Sequence, residues 1–308
     1  MVRSLYANLE YSKSDFLGLR IFAPPDQIVP PSDTESTTAR TMADLVVRLL
    51  DRVQLAAESP TCADAELPTG LAALDLALGG LRAGDLIVLT GLPGSGKSSL
   101  LINFVRHIAV DAGCPVAIVS MQTTGEHLLT RLASELSGIP LRRLNSGRLS
   151  DEEWPLLVDA AKRLESAPLL VRDQPLSDID SIAAVAELSA QKFGRCALVG
   201  IDHSQLLQVN PHASGEWTAT LRRLCRDLKI LARCYDCAML LIEPSDAHVC
   251  LVDLLSDADV IMELQRTGTA VNRSSLELFE LRILKQQHGP PCSVDLHFAA
   301  ATGRFRSA

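Results

Sequence analysis

Leu86-Ile87-Val88-Leu89-Thr90 runs directly into Gly91-Leu92-Pro93-Gly94-Ser95-Gly96-Lys97-Ser98-Ser99, and a helical pattern follows. An apolar strand, a turn spaced G-x-x-x-x-G-K-S and a helix make a phosphate-binding loop. The glycines let backbone N–H groups curl around the α- and β-phosphates of a nucleotide. Lys97 can reach the β- and γ-oxygens as a point charge, and the Ser98 hydroxyl can ligate Mg²⁺. Residues Gly91 to Ser99 are therefore the expected nucleotide contacts. From Leu67 onward strands and helices alternate. Strands are expected near 85–90, 116–120, 168–171, 197–201, 238–243, 257–264, 275–285 and 293–298, and helices near 97–112, 124–137, 150–165, 177–193 and 216–234. This order gives an α/β class P-loop NTPase core: a mostly parallel sheet flanked by helices, with the ligand at the strand C-termini. Asp202 closes the apolar run Leu198-Val199-Gly200-Ile201, where P-loop proteins place a second Mg²⁺-side ligand. A strand-ending Asp also serves as a cap or turn former; the phosphate loop upstream favours the ligand.

The chain has 308 residues, 47% hydrophobic and 21% charged, enough for one large α/β domain and an appendage. No apolar run approaches the roughly 18 residues of a membrane span. The start, Met1-Val2-Arg3-Ser4-Leu5-Tyr6, lacks the apolar stretch of a secretory signal, so a cytoplasmic location is expected. In that compartment the eight cysteines are expected to be small buried hydrophobes without a disulfide framework. Cys234-x-x-Cys237 with Cys225 and Cys250 could be drawn as a zinc site. However, Cys225 falls on a helical pattern and Cys237 at a strand start, and the seven histidines show no ligand spacing. A net charge of −8 argues against broad attraction to nucleic acid, although a local basic groove could survive it.

Residues 1–40 read as an extended, flexible segment: Pro24-Pro25 and Pro30-Pro31 exclude a continuous helix, and Ser32 to Thr38 is polar. Residues 41–66 begin with a helical stripe of Met42, Leu45, Val46, Leu49, Leu50 and Val53. Such a stripe must be covered, by its own domain or by a neighbouring subunit. The P-loop domain is expected over 67–308.

Several further segments occur in an order that resembles one family, the C-terminal motor domain of replicative hexameric DNA helicases of the DnaB type, a branch of the RecA-like ATPases. They are Pro68 to Asp75, Gly79 to Asp85, Val119-Ser120-Met121-Gln122, Arg131-Leu132-Ala133, Leu149 to Trp154, Ile201 to Leu206, Leu228 to Ala232, Asp257 to Ile261 and Leu284 to Pro290. The resemblance implies ATP and Mg²⁺ as cofactors, a ring, with hexamers in the family, ATP bound between subunits, and DNA in the central channel. It also implies that the 41–66 helix docks on the next subunit, that the domain preceding the motor domain in such helicases is absent here, and that Arg266 lies near the adenine. Recombination or clock-type RecA relatives share the phosphate loop but fit less well around Trp154 and Lys285.

The departures decide what such a protein could do. Where the family has a glutamate that activates the attacking water, this chain has Gln122, which can hold a water but cannot accept its proton. The family also sends a lysine and an arginine across the subunit boundary; here Lys285 keeps the first and Gln287 replaces the second. The sensor glutamine expected after the fifth strand is replaced within Leu241-Ile242-Glu243-Pro244, and Glu243 is the candidate for a displaced base. Loss of a general base costs about 10²–10⁴ in rate and loss of an arginine finger about 10³–10⁵. On the DNA side, no Lys or Arg occurs between Arg233 and Arg266, where phosphate contact would need positive charge. Arg222, Arg226 and Lys229 lie at helical spacing and are the candidates for contact with single-stranded DNA, against a solvated or subunit-facing alternative. Two readings follow. One is a degenerate motor domain, in effect a pseudoenzyme, that binds ATP as a structural or regulatory subunit, in its own ring or with a replicative helicase. The other is an active DNA-dependent ATPase and helicase with substituted catalytic groups.

Overall fold

The computed structural model describes residues 66–174, 179–202, 214–244, 256–268, 276–287 and 289–308, with the backbone alone for 214–218, and the helical positions Met42, Val46, Val47 and Leu50. The helices are α1 (Ala72–Leu78), α2 (Lys97–Val105), α3 (Gly125–Ser137), α4 (Leu141–Ser146), α5 (Glu153–Ser166), α6 (Ile179–Phe193) and α7 (Ser214–Cys234). The strands are β1 (Leu86–Gly91), β2 (Val116–Ser120), β3 (Leu169–Arg172), β4 (Leu198–Asp202), β5 (Ala238–Pro244), β6 (Val260–Arg266), β7 (Glu277–Lys285), β8 (Cys292–Ala299) and β9 (Arg304–Ser307). They form one sheet in the order β3-β2-β4-β5-β1-β6-β7-β8-β9. The six strands from β3 to β6 are parallel, and β7, β8 and β9 extend the sheet antiparallel.

The central strands are apolar on both faces because helices cover both. Along β1, Ile87 and Leu89 pack with Leu100, Leu101 and Phe104 of α2, while Leu86 and Val88 pack with Ile182 of α6 and Leu228 of α7. Every β1 residue is buried. At the antiparallel end, Phe279, Phe298 and Phe305 pack ring against ring, with centroids 4.5–5.6 Å apart.

Three elements escape the sequence pattern. α1 and α4 have seven and six residues, too short to display a helical period, and β9 has four. The expected 97–112 helix changes winding: α2 passes at Arg106 into a π-helical turn ending at Asp111. There Asp111 accepts from Arg106 and Arg163 and contacts His107 Nδ1 at 3.1 Å. Of the expected stripe, Met42, Val46 and Leu50 are helical and exposed; Leu45, Leu49 and Val53 lie outside the described residues, as do residues 1–40 and His203. Among the described residues no helix is long and apolar enough to cross a membrane. The cysteine expectation needs correcting: Cys196, Cys225 and Cys237 are free and buried, but Cys234 and Cys292 are exposed and Cys114 is disulfide-bonded. No cluster of metal-binding type that includes Cys234 and Cys237 exists among the described residues.

Asp259, immediately before β6, ties the lower edge of the sheet together. One carboxylate oxygen accepts from the Leu86 backbone N–H at 2.7 Å and from Lys229 of α7, and the other accepts from Gln287 Nε2. Lys229 also donates to the Gly84 carbonyl at 2.7 Å. With Asp259 almost wholly buried, Asp259→Ala is expected to destabilise the fold by about 3–5 kcal/mol, the cost of stranding the buried partner of a broken ion pair. Urea denaturation of the variant beside the parent chain measures it.

Candidate nucleotide-binding site

β1 delivers the phosphate loop at the middle of the sheet, between β5 and β6. A Cβ on Gly91 would stand 2.5 Å from the Leu264 carbonyl oxygen, so β1 ends this close to β6 only with glycine. Gly96 takes φ 90° to turn the chain into α2, leaving the first N–H groups of that helix without helical partners. Lys97 folds back over the loop, its ammonium donating to the carbonyls of Gly91 at 2.7 Å and Leu92 at 2.8 Å. Burial pushes the lysine pKa down, and the carboxylates of Asp202 and Glu243 oppose that.

α2 lies directly on β4: a side chain at Gly200 would come within 2.8 Å of Leu101. This approach brings Ser98 to Asp202, with the hydroxyl donating to Asp202 Oδ1 at 3.0 Å. A hydroxyl and a buried carboxylate at the mouth of the loop are the hard oxygen donors Mg²⁺ takes, and Mg²⁺ in such sites draws only one or two ligands from protein. Ser98 and Asp202 would hold the ion, which when bound neutralises charge on the phosphates.

Arg131 of α3 stands behind this pair, donating to Ser99 Oγ at 2.7 Å. Burial lowers its pKa, against Asp202 and Glu135. Glu135 in turn accepts from Asn103 Nδ2 at 2.8 Å, and Asn103 reaches the Gly303 carbonyl and the Phe305 N–H. Sequence reading missed this polar seam between α2, α3 and β9. Burial pushes Glu135 up to about 8 against Arg106, Arg131 and Arg304, and pushes Glu243 up to about 8 against Lys97. Both carboxyls hold protons in the folded chain that they release when unfolded. Stability is therefore expected to fall as pH rises from about 4.5 to about 8. Glu135→Gln should flatten that fall, read as urea midpoints at pH 6 and pH 9.

The other expected residues are distributed as follows. Gln122 is exposed, in the turn after β2 and on the same sheet edge as Asp202, because Ser120 pairs in register with Asp202. The turn is anchored by Thr123 N–H to Ser120 Oγ and by Gly125 N–H to Asp173. Glu243 is buried and lies in register with Thr90, one residue before the loop. Lys285 and Gln287 are elsewhere. Lys285 pairs with Ile261, which lies beside Val88, three residues below Gly91, or about 10 Å down the sheet. Both are engaged in their own chain, Lys285 with the Ser256 carbonyl at 2.7 Å and Gln287 with Asp259. Arg266, with Leu92, Pro93, Gly94, Ser95, Glu263 and Gln265, lines a cleft of about 470 Å³ beside the loop. Its guanidinium is held by Glu277 at 3.2 Å and lies 5.5 Å from the Phe279 ring centre.

The basic set on α7 divides. Arg222 is exposed, and Arg226 is exposed with Asp257 at 3.7 Å. Lys229 is turned inward: its ammonium is tied to Asp259, Asp85 and Gly84 under the sheet, which sets it apart from the two exposed arginines. Within the interval that lacks Lys and Arg, residues 245–255 lie outside the described residues.

The profile of the DnaB-like helicase C-terminal domain matches residues 66–244, more than half of the chain. The chain belongs to this family. It is 27% identical over 280 residues to a probable replicative DNA helicase of Trieres chinensis, covering 85% of this chain and 61% of that protein. It is 24% identical over 315 residues to the replicative DNA helicase DnaB of Geobacillus stearothermophilus, covering 96% and 68%. The chain thus spans about three-fifths to two-thirds of the length of these relatives. Among solved structures, an ATPase domain superposes with a TM-score of 0.76 at 20% identity, over 88% of this chain and all of that one. A DnaB-like replicative helicase studied with primase gives 0.71 at 20% identity, over 88% of this chain and 68% of that one. These likenesses establish the RecA-like ATPase fold of DnaB-type helicases.

Proposed function

We propose that this DnaB-like domain binds Mg²⁺ and ATP through Gly91 to Ser99 and Asp202, with Arg266 beside the adenine, and hydrolyses the ATP slowly. It serves replication in the cytoplasm as a nucleotide-binding structural or regulatory subunit, in a homo-oligomeric ring such as a hexamer or with an authentic replicative helicase. The observation that carries this reading is the Lys97, Ser98 and Asp202 constellation, complete beside a carboxamide at position 122. Two further features support it. The sheet sets Lys285 and Gln287 far from their own loop, so they could act only on a neighbour's nucleotide, and there Gln287 brings no cation. Met42, Val46 and Leu50, helical and exposed, form an apolar stripe that a neighbouring copy would cover. Single-stranded DNA contact rests on Arg222 and Arg226 alone and is correspondingly weak.

Steady-state Mg-ATP hydrolysis with and without single-stranded DNA, beside Lys97→Ala, tests the proposal. The expected result is ATP binding with turnover far below about one per second, where enzymes ordinarily lie above. DNA-stimulated turnover at or above that rate, lost in Lys97→Ala, would favour an active helicase with substituted catalytic groups.

A further inference from the structure

Glu243 is the penultimate residue of β5, the strand next to the phosphate loop, its Cα in register with Thr90 and Pro244 in register with Gly91. Met239 and Leu241 belong to the α7 side of the sheet, and strand alternation puts Glu243 on that side too. Lys97 and Glu243 interact electrostatically: the ammonium favours the Glu243 carboxylate, and the carboxylate favours the ammonium. Lys97 is the residue that meets the β- and γ-phosphates. Among the described residues, the other titratable groups around Glu243 are Cys225 on α7, whose thiol burial and then Glu243 push up to about 12, Asp202 on β4, and Glu263 on β6 across Thr90. A carboxylate thus sits at the loop edge, while the turn after β2 carries a carboxamide.

We infer that Glu243 is the general base of this site, taking the proton from the water that attacks the γ-phosphate. This rests on the nucleotide-binding reading above and gives its slow turnover a route that avoids position 122. In the step, a water O–H bond breaks and its proton passes to Glu243. The oxygen bonds to the γ-phosphorus, and the bond from that phosphorus to the β,γ-bridging oxygen breaks, the electron pair leaving with ADP. Burial raises the pKa of the base to about 8, so the step is expected to gain speed as pH rises toward that value.

The test is Mg-ATP turnover from pH 6 to pH 9 for the full chain and for Glu243→Gln, Gln122→Glu and Gln122→Glu/Glu243→Gln. Binding of a fluorescent ATP analogue and a thermal melt confirm that each variant is folded and loaded. Glu243→Gln should bind the analogue within about threefold of the parent and lose at least tenfold in turnover, together with the rise toward pH 8–9. The double variant, which exchanges carboxylate and carboxamide between the two strand ends, should recover turnover without that pH dependence. Turnover unchanged in a folded, loaded Glu243→Gln overturns the inference. No parental turnover above Lys97→Ala overturns it as well and leaves ATP binding intact. Rapid parental turnover that Glu243→Gln abolishes sustains the inference and removes the slow-hydrolysis proposal instead.

Discussion

Gln122→Glu is expected to raise Mg-ATP turnover by about 10²–10⁴, the contribution of a positioned general base. The surrounding turn is already held for it: Ser120 receives the Thr123 N–H, Asp173 receives the Gly125 N–H, and Thr124 caps α3. Gln122 is exposed, so a carboxylate there carries little desolvation cost. Gln287→Arg behaves differently. Position 287 stands on the far edge of the sheet from its own phosphate loop, and its side chain bonds to Asp259. Any increment from an arginine there should depend on protein concentration, appearing only where copies of the chain associate.

Lys97→Ala is expected to weaken Mg-ATP binding about 10²-fold or more, since truncating one partner of a buried charge pair costs about 2–5 kcal/mol. The lysine ammonium is nearly buried, donates to Gly91 and Leu92, and interacts with Asp202 and Glu243. Removing it leaves the Asp202 carboxylate facing the phosphates uncompensated. Direct titration with a fluorescent ATP analogue measures the loss.

The central sheet was legible because its strands are short apolar runs between helical stretches, and because the loop after Thr90 has a mechanism attached to its spacing. Asp202 was legible only in combination with that loop; the structure adds the reason, a glycine at 200 that lets α2 bring Ser98 to it. What could not be read were contacts between distant segments. Arg131 on Ser99 and Glu135 on Asn103 look in sequence like the polar side of an amphipathic helix, yet they face a buried seam. Lys229 misled for the converse reason. Its helical spacing from Arg222 and Arg226 suggests one basic surface, but α7 turns Lys229 toward Asp259 and leaves the two arginines outside. A period of 3.6 residues identifies a face; it does not say what that face meets.

The most direct test of the account is the identity of the bound nucleotide. The full chain is mixed with radiolabelled ATP and Mg²⁺ under single-turnover conditions, quenched after about one second and separated into ATP and ADP. Enzymes of median speed, about 10 per second, would convert nearly all of it in that time. The account predicts nucleotide bound in a Lys97-dependent manner and recovered mostly as ATP. Recovery mostly as ADP, or no Lys97-dependent binding at all, would contradict it.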